Sequence, residues 1–272
     1  MAQTATIGIL AVLVVLGVVA SVWVFAPAFQ GAEAARRDLG SHRLEFGAWL
    51  SALVLIGIFA VPLAVVFHIG PELTPTTFAL SAIATDVPLL VVLYVRLIMP
   101  GALTWSDLGL KRRPLGYVLT VGLGAGLAGI VVIDVVVGTV LTQFGLKPPN
   151  QLEEFRSVLN EGPLGLILFL LAAAVVAPFV EELFFRGFLF GIYRRRQPLW
   201  LAYLVSSLLF AVLHINNRMS GSEAASLAIG IFLLALILAA VYHYTDSLYP
   251  GMLAHAVNNT AAILLFYSLG AR

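Results

Sequence analysis

The sequence predicts an all-α protein, a polytopic membrane helix bundle of about eight transmembrane helices. Two observations carry that expectation. The chain is 61% hydrophobic and only 11% charged, with a mean hydropathy of +1.01, whereas soluble domains carry about 25% charged residues. Its apolar residues also gather into runs close to the ~20 residues that a helix needs to cross a bilayer. A net charge of +1 with no basic face speaks against nucleic-acid binding. The absence of cysteine excludes disulfides, thiolate metal sites and cysteine catalysis.

The runs fall at residues 5–25, 48–67, 77–98, 115–143, 163–192, 199–215, 224–244 and 250–268. The first has no Lys or Arg before it and exceeds a signal-peptide core, so it reads as a retained span, although Ala26-Pro27-Ala28 has the character of a cleavage site. Residues 31–47 mix Arg36, Arg37 and Arg43 with Glu33, Asp38 and Glu45, as in a solvated linker or an interfacial helix. Lys111, Arg112 and Arg113 follow the third run and Arg194, Arg195 and Arg196 the fifth, while the loop after the second has no cation. The positive-inside bias therefore assigns the loops near 36–43, 104–114 and 193–198 to the cytoplasm and both termini to the outside. The stretch around Asp246 falls on the same side without a basic residue of its own. In the fourth run Gly122, Gly124, Gly126 and Gly129 contain a Gly-x-x-x-Gly spacing, which lets helices approach closely. Asp86 and Asp134 are lone carboxylates within runs, open to either a structural hydrogen bond or a polar cavity.

The fifth run is the most heavily charged: Glu181 and Glu182 are followed one turn later by Arg186. Charges at such a depth cost about 2.5–3.5 kcal/mol each on insertion scales and normally serve a protein or water-filled interior. Glu182 and Arg186, four apart, share a helix face and neutralise one another, which leaves Glu181 for another task. The sixth run offers Phe210 and His214, and the eighth His255 and Asn259 with Asn258 adjacent. At ~1.5 Å per residue, Glu181 and His214 both lie roughly 20 Å from the basic loops, and the eighth helix reaches the same level. Taken singly, each has a bland reading as a satisfied polar residue, an ion pair or an interhelical bond. Together they recur at one depth.

Glu181-Glu182-x-x-x-Arg186, Phe210-x-x-x-His214 and His255-x-x-x-Asn259, in that order, resemble the three motifs of the CAAX-protease and bacteriocin-processing membrane peptidases, also called the Abi or type II CAAX prenyl endopeptidase family. The turn Asp107-Leu108-Gly109-Leu110 ahead of Arg112-Arg113-Pro114 is similar to the family's lead-in. The resemblance divides the chain into N-terminal spans, 1–99, and a peptidase core, 100–268. It implies an intramembrane endopeptidase with Glu181 as general base, His214 orienting the same water, His255 and Asn259 donating to the oxyanion, and Arg186 holding Glu182. Peptide hydrolysis needs those parts: an acceptor for the water's proton, donors where charge develops, and a proton for the leaving amine. The family is described both as metalloproteases and as metal-independent glutamate peptidases. Glu181, His214 and His255 are also a donor set for catalytic zinc, so zinc and a metal-free site both stay open.

The expected partner is a membrane-associated peptide or protein substrate, within a lipid bilayer. The absence of an evident cytosolic domain suggests a prokaryotic member, multi-pass in the cell membrane, with its site open to the cytoplasm. Two rival readings stand beside this one. A proton-coupled transporter or channel would also place Glu, His and Asp in spans, but predicts inverted repeats that the halves do not display. A non-catalytic immunity or partner protein of the same fold is the other. Whether the substrate is a prenylated C-a-a-X protein or another membrane-bound precursor is not legible in the sequence.

Overall fold

The computed structural model describes residues 19, 26–29, 31–38, 56, 74–147, 151–215 and 219–270, and among them every regular element is helical. In chain order these are α1 (Ala32–Asp38), α2 (Pro75–Ile98), α3 (Leu115–Gln143), α4 (Arg156–Asn160), α5 (Pro163–Tyr193), α6 (Leu199–Leu213), α7 (Gly221–Thr245) and α8 (Leu248–Gly270). Four of them, α2, α3, α5 and α7, are long and apolar enough to cross a membrane. The expected spans at 5–25 and 48–67 lie almost wholly outside the described residues.

The sixth expected span is shorter than its hydropathy suggests. α6 has 15 residues, roughly 22 Å of helix, against a hydrocarbon core of about 30 Å. It stops at Leu213, with His214 as its C-cap. α7 begins earlier than expected because Ser220 and Glu223 form a reciprocal capping box that satisfies its first free N–H groups. The short helical segment Gln151–Phe155 leading into α4 was not evident from hydropathy, since it is too short to register as a span.

The chain divides into two compact units, one of Met1–His68 with Ile83–Thr104, the other of Ile69–Ala82 with Trp105–Arg272. In the first, Asp86 is buried, as is Arg96. The second contains every candidate site residue. There α3 lies against α8 through its small residues: a Cβ on Gly122 would fall 2.7 Å from Leu253, and one on Gly126 would fall 2.8 Å from Val257. Asn258 completes this contact by donating from Nδ2 to Gly126 O at 3.1 Å. At the far end of the unit, Phe78, Phe155 and Phe169 stack with ring centroids 4.8–5.5 Å apart over Val158, Leu159 and Ile263.

α5 is not a uniform α-helix. It passes through π-helical turns at Ala172–Val176 and Glu182–Phe190, on either side of Pro178. Proline has no N–H to give and crowds the carbonyl one turn back, and i→i+5 turns are a common response inside long helices, frequently at functional sites.

Candidate active site

The second π stretch of α5 presents the charged group. Glu182 and Arg186 are fully buried and paired, Arg186 Nη1 standing 2.9 Å from Glu182 Oε1. A buried carboxylate or guanidinium alone would be prohibitive, and the pairing offsets most of that desolvation. Arg186 also lies over the ring of Phe210 on α6, its Cζ 4.3 Å from the centroid. The desolvated guanidinium is thus supported by an aromatic face as well as by a charge. The expected ion pair is present.

Glu182 has a second partner that spacing did not reveal. His255 of α8 donates from Nδ1 to Glu182 Oε1 at 3.1 Å. A carboxylate can only accept, so this bond assigns the hydrogen to Nδ1 and turns the Nε2 lone pair outward. Nε2 lies 3.7 Å from Glu181 Oε2. The two adjacent glutamates therefore contact opposite nitrogens of one imidazole from different environments. The Glu182 side chain has 0% exposure, while that of Glu181 keeps 18%. Glu182 Oε2 is buried without a hydrogen-bond partner and faces Gly251, where a Cβ would come within 3.3 Å. The glycine one turn before His255 allows α8 this close to the carboxylate.

His214 stands across Phe210 from that group. Its ring centroid is 4.6 Å from the Phe210 ring, which is itself 5.8 Å from the ring of His255. His214 Nδ1 bonds to Phe210 O at 2.8 Å, one turn back on its own helix, so its Nε2 is also the free face. Asn259 is occupied with backbone. The N–H of Ala177 bonds back to Ala172 O in the π manner and Pro178 offers no N–H, so Ala173 O lacks a donor from its own helix. Asn259 Nδ2 donates to that carbonyl at 2.6 Å. The structure thus joins Glu181, Glu182, Arg186 and His255 directly, sets His214 one ring away, and ties Asn259 to the turn that precedes the glutamates.

The site is braced at its other end by the 105–113 loop. Gly109 has φ +93°, a conformation that costs a residue without Cβ little, and packs against the Tyr242 ring. Leu108 is fully buried, and its carbonyl reaches Gly187 so closely that any side chain there would collide with it. The turn singled out beside the three motifs therefore bears on α5 one residue beyond Arg186.

Zinc can be tested on the donors themselves. Among the described residues no three His, Cys, Asp or Glu side chains come together closely enough to hold a metal ion. Glu181 and His255 make a pair, with His214 beyond Phe210. As placed, these residues do not fit a three-donor zinc site.

Residues 163–261 match the family model described as Type II CAAX prenyl endopeptidase Rce1-like. This stretch, a little over a third of the chain, is similar to a Rce1-like domain. It runs from the start of α5 into α8 and includes Glu181, Glu182, Arg186, His214, His255 and Asn259. No curated protein and no solved structure matches the chain. The match is to a family of CAAX-type endopeptidases, and with its apolar helices the chain is an integral membrane protein.

Proposed function

We propose that the chain is an intramembrane endopeptidase that hydrolyses a peptide bond of a membrane-associated substrate with water activated by Glu181. The observation that supports this most is the unequal pair: Glu182 is sealed between Arg186 and His255, while Glu181 keeps access and faces Nε2 of the same histidine. One carboxylate is enclosed, and the other keeps contact with the surroundings of the site.

In this reading Glu181 takes a proton from water as the oxygen attacks the carbonyl carbon, and His214 orients that water through its free Nε2. The tetrahedral oxyanion is met by His255 Nε2 when that nitrogen carries a proton, and by the second N–H of the Asn259 amide. Glu181 then passes its proton to the amine nitrogen as the C–N bond breaks. Glu182 accepts from His255 Nδ1–H throughout and so holds the ring in place, while Arg186 holds Glu182. No step is routed through a metal. In this reading the site is reached from the end bearing Arg194–Arg196, the side that the charge bias assigns to the cytoplasm, in a prokaryotic cell membrane.

Glu181→Gln tests the chemistry, since the amide keeps the shape and cannot accept the proton. The expected result is a folded protein that retains substrate but leaves no new protein C-termini in membrane proteomes, compared with wild type. Undiminished cleavage removes Glu181 from the mechanism. A cysteine placed at position 195 of this cysteine-free chain tests the orientation. It reacts with an impermeant thiol reagent only after the membrane is opened, and labelling in intact cells reverses the topology.

A further inference from the structure

We propose that the end of the second unit bearing the 105–113 loop and Arg194–Arg196 is a binding surface for anionic phospholipid headgroups. Lys111, Arg112 and Arg113 directly precede α3, and Arg194, Arg195 and Arg196 directly follow α5. Six cations thus sit where two membrane helices end, with Asp107 as the only acid in the same segments and Asp246 beside them at the end of α7.

These cations are gathered by the fold. Asp246, in the left-handed cap of α7, receives Lys111 Nζ at 2.5 Å and Arg194 Nη2 at 3.2 Å, so one carboxylate pins two separate loops together. The Lys111 hydrogen bond holds this carboxyl below the usual aspartate range, keeping it ionised at neutral pH. Arg113 Nη2 donates to Thr245 O at 2.6 Å, and Arg195 Nη2 to Asp107 O at 3.5 Å. The stretch around Asp246, which lacks a cation of its own, borrows three. Drawing like charges together raises their mutual repulsion, and one aspartate does not neutralise the set.

The surplus is directed outward and at the depth of the headgroups. Arg112, Arg113 and Arg195 are exposed. Trp200 in the first turn of α6 and Tyr244 in the last turn of α7 are 65% and 82% exposed at this same end, and such aromatics mark the bilayer interface. Among the described residues of the opposite end, Lys147 and Arg156 are offset by Glu153 and Glu161, with Arg156 Nε bonded to Glu153 at 2.5 Å. Guanidinium groups match a phosphodiester in shape and charge. Because the aromatics fix the depth, the phosphate favoured is a lipid's rather than a soluble one.

The full-length chain with Trp23→Phe and Trp49→Phe retains Trp105 and Trp200 as reporters beside the surface. Reconstituted in phosphatidylcholine vesicles, it is quenched with brominated phosphatidylglycerol or brominated phosphatidylcholine. The expected result is a preference for phosphatidylglycerol of about tenfold or more at low salt, since each cation near an anionic surface is worth about fivefold. Arg112→Gln/Arg195→Gln reduces it to within about twofold of unity, whereas Arg112→Lys/Arg195→Lys keeps most of it. Native mass spectrometry of lipids retained by the wild-type chain supplies a readout independent of the tryptophan changes. Equal quenching by both lipids, or a preference unaltered by the glutamine pair, overturns the proposal. So does competition by inorganic phosphate that far exceeds competition by chloride, which marks a soluble-anion site.

Discussion

Replacing Glu182 by alanine removes the acceptor shared by Arg186 and His255. Deleting one member of a buried ion pair costs about 3–5 kcal/mol, because the surviving charge stays in a low-dielectric site. Here the survivor keeps the Phe210 face at 4.3 Å and a long contact to Ala235 O at 3.5 Å. That support points to the lower part of the range, about 3 kcal/mol. His255 loses its Nδ1–H acceptor as well, which adds about 1 kcal/mol. At about 2–4 °C per kcal/mol for a chain of this size, the apparent melting temperature falls by about 8–16 °C. Glu182→Leu/Arg186→Met removes both charges at similar volume and recovers most of the loss, short of the His255 contribution. Thermal unfolding of the detergent-purified protein, followed by tryptophan fluorescence, measures all three. A Glu182→Ala protein that unfolds at the wild-type temperature, or a double variant less stable than the single, refutes the assignment of this pair as the buried anchor of the site.

The glycines of α3 make a second, independent test. Gly126→Ala forces a Cβ into Val257 and close to Ala254 O and is expected to destabilise by about 1–3 kcal/mol, while Gly124→Ala meets nothing within 4 Å and is expected to be neutral or slightly stabilising; equal melting temperatures for the two variants would argue against the α3–α8 contact. Asn259→Ala should act twice, lowering stability by about 1–3 kcal/mol by orphaning Ala173 O and slowing cleavage by about 10²–10³-fold through the lost oxyanion donor. A slower enzyme of unchanged stability would leave the catalytic role and remove the structural one.

The membrane character, the positions of α2, α3 and α5 to α8 and the polar set on α5, α6 and α8 are legible in the sequence. Hydropathy and one-turn spacing are local properties, and transfer energies of this size leave a helix little choice of environment. The pairing of Glu182 with Arg186 belongs to the same class, being a contact within one helix. By itself the sequence also places Glu181, His214 and His255 at similar heights on their own helices.

Which helix faces which was decided only in three dimensions. Spacing gives a residue's face and height on its own helix, but not the rotation of that helix against its neighbours. Gly251 lets α8 close on Glu182, and that approach hands His255 to the buried glutamate at one nitrogen and the accessible one at the other. Pro178 and its π turns leave Ala173 O in need of a donor, and so engage an amide that the motif resemblance assigns to catalysis. Asp246, odd in a one-dimensional count of loop charges, becomes intelligible once Lys111 and Arg194 reach it from loops distant in sequence. Each of these contacts depends on a side chain from one helix meeting a backbone or charge of another. Their energies enter only when the helices pack, which is why they belong to the tertiary structure.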